Sequence, residues 1–302
     1  MPGRKPDLSR ATRVIAVAAV GALAVGAVAL SSAALQHGTP APATATAAPA
    51  PTFTLGPQPV ASPTTDAAPP APDAPVFTHP GAEERFLSIG PEAMWRATGG
   101  ECGGTPPLVE RSVDGGETWT DVTPTYRGIG QVRSLNAFAG TEAEMIADMG
   151  DDCETQYLRT FTQGRFWEPY PELLQRATYL SSTEPGVIIT ANGEIDAPCA
   201  APWSFRASGG ALALICDATA FRLADAEWEP VVDAAGTLAL DGGDLLVAHS
   251  DTSCSGLSVT RFGYEASPEG CLESVEIRAV AAVAAGPRTL TWSGSSLRVA
   301  GD

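Results

Sequence analysis

Ser112-Val-Asp-Gly-Gly-Glu-Thr-Trp119 is the stretch on which the reading of the fold turns. A short Ser/Asp/Gly/Thr sequence ending in Trp has a local physical logic. Asp114 can accept hydrogen bonds from the N–H groups of a tight turn. The glycines permit backbone angles closed to other residues, and Trp119 supplies a large ring to bury between neighbouring sheets. The pattern recurs in weaker form. Thr160-Phe-Thr-Gln-Gly-Arg-Phe-Trp167 keeps the spacing, the Gly and the Trp but has no Asp, and Ala220-Phe-Arg-Leu-Ala-Asp-Ala-Glu-Trp228 keeps little beyond the Trp. After each Trp the chain reads alike: Thr-Asp-Val122, Glu-Pro-Tyr170 and Glu-Pro-Val231.

Around these turns runs a second repeat, a short alternating strand, a Gly turn and then a more continuously apolar strand. Phe86-Leu-Ser-Ile-Gly90 leads to Ala93-Met-Trp95, and Leu135-Asn-Ala-Phe-Ala-Gly140 leads to Met145-Ile-Ala147. Phe205–Gly210 precedes Ala211–Ile215, Leu238–Gly243 precedes Leu245–Val247, and Val280–Gly286 precedes Thr289–Trp292. Gly186-Val-Ile-Ile-Thr190 reads as the start of a further copy. No sustained helical periodicity runs between Phe86 and Asp302.

The full motif Ser112, Asp114, Gly116, Thr118, Trp119 resembles that of the Asp-box (BNR-repeat) β-propellers, a group that includes sialidases and many non-catalytic exported proteins. As an architecture the resemblance covers Phe86 to Asp302; as a motif it covers eight residues. It implies an all-β propeller of four-stranded blades. Five blades fit the length best, with six or seven small blades as alternatives and a pair of smaller β domains as the rival fold. The terminal segment Leu297-Arg-Val-Ala300 is expected to be completed into a blade by Val76-Phe77-Thr78. In such a propeller the Asp-box is structural and lies on the outer rim.

The N-terminus places the domain. Residues 1–13 carry Arg4, Lys5, Arg10 and Arg13, and 14–35 is an uncharged apolar run. At about 1.5 Å per residue such a run spans a hydrocarbon core of about 30 Å. The basic flank keeps the N-terminus cytoplasmic, so the rest of the chain is exported. The expectation is a single transmembrane helix, a signal-anchor, with a cleaved signal peptide as the alternative. Residues 36–80 follow as a Pro/Ala/Thr-rich disordered linker holding 12 of the 26 prolines, and 81–302 form the extracytoplasmic domain. The six cysteines, Cys102, Cys153, Cys199, Cys216, Cys254 and Cys271, all lie in that domain and read as three disulfides. The two 17-residue intervals favour Cys199–Cys216 and Cys254–Cys271 as local hairpin pairs, leaving Cys102 with Cys153.

Charge and motif content restrict function. After residue 80 there are 32 Asp and Glu against 14 Arg and no Lys, a net charge near −18. That balance argues against nucleic-acid binding and against docking on anionic lipid. No CxxC occurs, and the only histidines in or bordering the domain are His79, at the linker boundary, and His249, which argues against zinc. His249 reads as a strand-end surface residue. The cluster Asp148, Asp151, Asp152 and Glu154 reads as a solvated acidic loop rather than a calcium site, and Gly99–Gly104 as a disulfide-tied loop. Sialidase activity, which the resemblance raises, requires arginines converging on a carboxylate and a Tyr–Glu pair at the centre. Here Tyr264 and Glu265 are adjacent in sequence and would face opposite ways in a strand. Trp95, Trp203 and Trp292 are expected to be buried between blades. No catalytic, cofactor-binding or metal-binding residues are assigned. The expected function is a membrane-tethered, non-catalytic binding or assembly module with a cell-envelope protein or glycan partner. A glycoside hydrolase of sialidase-like architecture is the alternative.

Overall fold

The computed structural model describes residues 77–300 apart from 274, 277–279 and 287, all within the unit Ala68–Asp302. The expected membrane helix at 14–35 and nearly all of the 36–80 linker lie outside the described residues. Among those described, no helix is long and apolar enough to cross a membrane.

The chain folds into six antiparallel sheets, each built from consecutive strands. Blade 1 holds β1 (Arg85–Ile89), β2 (Met94–Thr98), β3 (Val109–Ser112) and β4 (Thr120–Asp121), and blade 2 holds β5 (Ile129–Ala139), β6 (Glu142–Met149), β7 (Glu154–Thr160) and β8 (Glu168–Pro169). Blade 3 has three strands, β9 (Tyr179–Leu180), β10 (Val187–Thr190) and β11 (Gly193–Asp196). Blade 4 comprises β12 (Trp203–Ser208), β13 (Ala211–Cys216), β14 (Thr219–Ala224) and β15 (Glu227–Val232). Blade 5 comprises β16 (Ala235–Asp241), β17 (Asp244–Ser250), β18 (Leu257–Phe262) and β19 (Ala266–Leu272). Blade 6 again has three, β20 (Ala281–Ala284), β21 (Leu290–Ser293) and β22 (Ser296–Val299). The first strands touch in the order β1, β5, β9, β12, β16, β20 and back to β1, so they ring a central axis. The protein is an all-β, six-bladed propeller.

Six blades rather than five is a correction with a simple cause. The five alternating-strand repeats are blades 1, 2, 4, 5 and 6. Blade 3 hides because its inner strand is only two residues long, leaving β10 as its visible apolar segment. Second strands read as continuous apolar runs because adjacent blades cover both their faces; Leu245, Leu246, Val247 and Ala248 of β17 are all buried. At the crowded centre the inner strand β20 is Ala-Ala-Val-Ala, with every residue buried.

The N-terminal segment corrects a second expectation. Phe77 and Thr78 do not extend blade 6. Phe77 is buried among residues of blades 4, 5 and 6, its ring filling the place where a Cβ on Gly236 would sit. His79 packs edge-on against Trp203 at 5.8 Å. A 3-10 turn, Gly81–Glu83, then brings the chain to blade 1, where Gly100 N–H donates to Ala82 O and Gly99 N–H to Glu84 O. The segment thus runs from blades 4 and 5 across to blade 1.

Three disulfides hold the ring, and two of them join neighbouring blades. Cys102–Cys153 ties the loop after β2 to the β6–β7 turn, and Cys199–Cys216 ties the blade 3–4 connection to the end of β13. Cys254–Cys271 lies within blade 5. The middle pair matches the expected partners but is not a hairpin closure. By the chain-entropy relation these loops contribute about 3–4 kcal/mol each.

Closure between blades 6 and 1 uses no shared sheet. The Arg96 guanidinium lies 4.1 Å from the Trp119 ring centroid and 4.8 Å from that of Trp292, while its Nε donates to Glu110 at 2.6 Å. The Arg85 guanidinium lies 4.4 Å from the Trp292 ring centroid and donates to Gly294 O. Leu297 of β22 packs where a Cβ on Gly116 would clash. Truncating the buried ring at the seam, Trp292→Ala, is expected to cost about 3–5 kcal/mol in urea unfolding, and Arg96→Ala about 2 kcal/mol. Trp228→Ala, on the half-exposed rim of blade 4, is expected to cost clearly less than Trp292→Ala. The reverse order would place closure elsewhere.

Candidate functional site

The motif that led to the fold sits in the β3–β4 turn at the outer edge of blade 1. Ser112 Oγ donates to Asp114 Oδ1 and accepts from Gly116 N–H; the Asp114 carboxylate accepts from Thr118 N–H and Thr118 Oγ1. Those hydrogen bonds lower the Asp114 pKa to about 2. The β7–β8 turn of blade 2 repeats the arrangement without the carboxylate. Thr160 Oγ1 accepts from Gly164 N–H at 2.9 Å and Thr162 Oγ1 from Phe166 N–H at 2.9 Å, taking the places of Ser112 and Asp114. Gly116 and Gly164 both have positive φ, and both give room to a side chain of the preceding blade, Leu297 and Val122 respectively. The indoles of Trp167 and Trp228 likewise donate to backbone of the preceding blade, at Val122 O and Asp196 O. Trp95, Trp203 and Trp292 are buried. These turns are packing devices on the rim, away from the axis.

A concavity lined by all six blades lies on the axis. It has a volume of about 430 Å³ and exists because β9 is so short. Where other blades present a full inner strand, blade 3 presents the irregular stretch Arg176–Thr178, and the β6–β7 face of blade 2 is left open to the channel. Glu144, Tyr157, Arg176 and Tyr179 line this blade 2–3 side, with Arg133 and Arg206 at the centre. A one-turn helix, Pro171–Leu174, carries Arg176: it hangs on β7 through Tyr170 N–H to Tyr157 O, and Arg176 N–H bonds Leu173 O. A second cavity of about 330 Å³ lies toward the N-terminal segment, against His79, Glu84 and Gln131. Phe86, Arg133 and Phe205 line both cavities and separate them.

The charges around the larger cavity are mostly paired. Arg133 makes a two-point contact to Asp148, which also accepts from Thr155 Oγ1. Arg206 lies 3.8 Å from Glu84, and Arg159 binds Glu144 at 2.7 Å. Burial pushes the Glu84 carboxyl up, offset in part by Arg206 and the N–H of Ser204. The Tyr157 phenol is pushed up by burial and by the nearby Glu144; that of Tyr179 is pushed up by burial and by Asp148. Both phenols are therefore neutral at physiological pH and can donate as well as accept. Phe138, Tyr157 and Tyr170 surround the Arg159 guanidinium at 4.8–5.9 Å.

Several residues singled out from the sequence fall elsewhere. Tyr264 is fully exposed in the β18–β19 turn and lines neither cavity. His249 is not a surface residue: it is buried in β17, its Nε2 is 2.8 Å from Thr260 Oγ1, and burial lowers its pKa. The acidic cluster is split, with Asp148 fully buried on Arg133 while Asp151, Asp152 and Glu154 are exposed. Arg133, Glu144, Tyr157, Arg176 and Tyr179 were not singled out by sequence reasoning. The one available signal was the missing alternating strand before Leu180, in register with the five others.

Comparison with protein families and with curated proteins finds no match. Among solved structures the fold is similar to that of "YCF48 bound to D1 peptide", at 15% identity over 72% of this chain and 77% of that one, TM-score 0.42. A mutant of AofleA from Arthrobotrys oligospora is similar at 6% identity over 75% and 89% of the two chains, TM-score 0.41. A mutant of Aleuria aurantia lectin in complex with Fucalpha1-6GlcNAc is similar at 10% identity over 74% and 96%, TM-score 0.42. These likenesses concern the β-propeller fold alone.

The lowered Asp114 pKa gives the blade 1 turn an acid dependence. Its stabilising contribution is fully present above the unfolded value of 3.8 and is lost as the pH falls to about 2. Asp114→Asn is expected to lower the melting temperature at neutral pH, with the gap to the unsubstituted protein closing over that acid window. A gap that stays constant down to the lower limit would contradict this role.

Proposed function

We propose that the protein is a non-catalytic binding module that holds a glycan in the axial cavity, in the cleft that forms its blade 2–3 side, displayed outside the cell on a Pro/Ala/Thr stalk tethered by the N-terminal apolar segment. The observation that carries the reading is the cleft. At about 430 Å³ it falls in the usual range of small-molecule sites, about 300–1,000 Å³. Ser88, Ser134 and Asn136 line it together with the neutral phenols of Tyr157 and Tyr179. Such groups exchange hydrogen bonds with sugar hydroxyls, and aromatic rings cover the apolar faces of sugar rings. The three disulfides are consistent with an extracellular domain.

One observation favours the second reading, a glycoside hydrolase of sialidase-like architecture: Tyr157 and Glu144 line the same cavity as Arg133, Arg176 and Arg206. Four others weigh against it. Arg133 and Arg206 are occupied by Asp148 and Glu84. Glu144 is held by Arg159, and the Tyr157 phenol is shifted away from ionisation. Among the described residues the cavity lining holds one carboxylate, Glu144, whereas most glycosidases use two.

A thermal-shift screen of the full-length protein against neutral and acidic oligosaccharides tests the reading. A glycan at about 100 times its Kd is expected to add roughly 2.7 kcal/mol, to lose that effect in Tyr157→Ala, and to be recovered intact after incubation. Hydrolysis that disappears in Tyr157→Phe would instead establish the second reading. A shift unaffected by Tyr157→Ala would remove the cleft as the site.

A further inference from the structure

We propose that the ligand of the blade 2–3 cleft carries a negative charge and that Arg176 selects it, so that the ligand is an acidic saccharide, a small sugar bearing a carboxylate, sulfate or phosphate group; this rests on the glycan reading above. The cavity lining contains four charged side chains, Arg133, Glu144, Arg176 and Arg206. Three are already neutralised by partners: Arg133 by Asp148, Glu144 by Arg159 and Arg206 by Glu84. Among the described residues Arg176 is the lining charge that makes no ion pair. The cleft with its paired groups therefore carries one uncompensated positive charge.

That charge stands in a domain with more than two carboxylates for every arginine. An anion approaching at random meets repulsion over most of the surface, and the cleft offers a local exception. Arg176 is not a floppy surface cation by position. Its backbone is fixed by the Pro171–Leu174 turn, which hangs on β7, and it stands three residues before Tyr179 at the mouth of the opening left by β9. A guanidinium presents a planar fork of donors that matches carboxylate, sulfate or phosphate oxygens in two-point contact. Tyr157, Tyr179 and Asn136 supply neutral partners for the rest of a sugar ring. Arg176 is exposed, so its attraction is screened by salt, whereas the neutral contacts are not.

Calorimetric titration of the full-length protein with digalacturonate, with a sulfated lactose and with neutral cellobiose tests the assignment. An acidic probe is expected to bind at least about tenfold tighter than cellobiose, a difference of about 1.4 kcal/mol. Arg176→Gln is expected to abolish that preference, bringing the acidic probes to the affinity of cellobiose. Loss for both acidic probes assigns recognition to charge, and loss for digalacturonate alone assigns it to the carboxylate; either supports the inference. Equal affinity for acidic and neutral probes overturns it, and so does a preference that survives Arg176→Gln. Cellobiose binding that is lost in Tyr157→Ala would then leave the cleft standing as a neutral-glycan site. Binding of none of the three probes overturns both readings.

Discussion

A propeller is a chain of sheets until its last blade meets its first, and here that meeting rests on side-chain packing around Trp292, with Arg96 at its centre. Many ring-like folds can close by sharing strands from both ends of the chain. In this protein every described blade is made of consecutive strands, so no ladder of backbone hydrogen bonds crosses the seam. Arg96, packed over Trp119 and Trp292 and anchored by Glu110, crosses it instead, together with Arg85 over Trp292 and the apolar contacts of Leu87 and Met94 with Ala282, Ala284 and Trp292. Cation–π contacts are strongest when desolvated, and both Trp292 and the Arg96–Glu110 pair are largely out of water. The disulfides fit the same logic: they lock blades 1 to 2 and 3 to 4 but leave the seam to side chains.

Closure also decides what is left at the centre. Five inner strands are four or more residues long and Tyr179–Leu180 is two, so the ring is complete in connectivity and incomplete in lining. The gap exposes the blade 2 face bearing Glu144 and Tyr157, which elsewhere in the ring would be covered. Three ion pairs then satisfy most of the charge that this opening brings toward solvent. Buried or half-buried charges without partners are costly, and the pairs Arg133–Asp148, Arg206–Glu84 and Arg159–Glu144 avoid that cost. What they leave over is a polar, aromatic-edged cleft with a single cation at its mouth.

The fold was largely legible because repetition averages out local ambiguity. Phe86–Trp95, Leu135–Ala147, Phe205–Ile215, Leu238–Val247 and Val280–Trp292 each mark the first two strands of a blade. The reading broke where the repeat broke, at Tyr179–Leu180, and that is also where the cleft lies. Thr160–Trp167 shows a related limit: Thr162 performs the backbone-capping role of Asp114 with a different functional group, so the shape of the turn outlasts its motif. The site itself was not legible. Asp148 looked like part of an exposed acidic loop, but it lies on β6 opposite Gln131 of β5, and only strand register reveals that it faces Arg133. His249 was misplaced for a similar reason. It continues the apolar face of β17 and finds Thr260 across the sheet, a pairing over 11 residues that spacing alone does not disclose.

Native-state hydrogen exchange of the full-length protein bears most directly on closure by side-chain packing. If the ring is sealed at the Arg96 contact, the amides of β1 and β20 open only with the whole domain. They should then exchange as slowly as those of β13 and β17, which lie far from the seam along the chain. If β20, β21 and β22 instead exchanged as a separate, faster unit while blades 1 to 5 stayed protected, the ring would be open in solution and Arg96 would not be its lock.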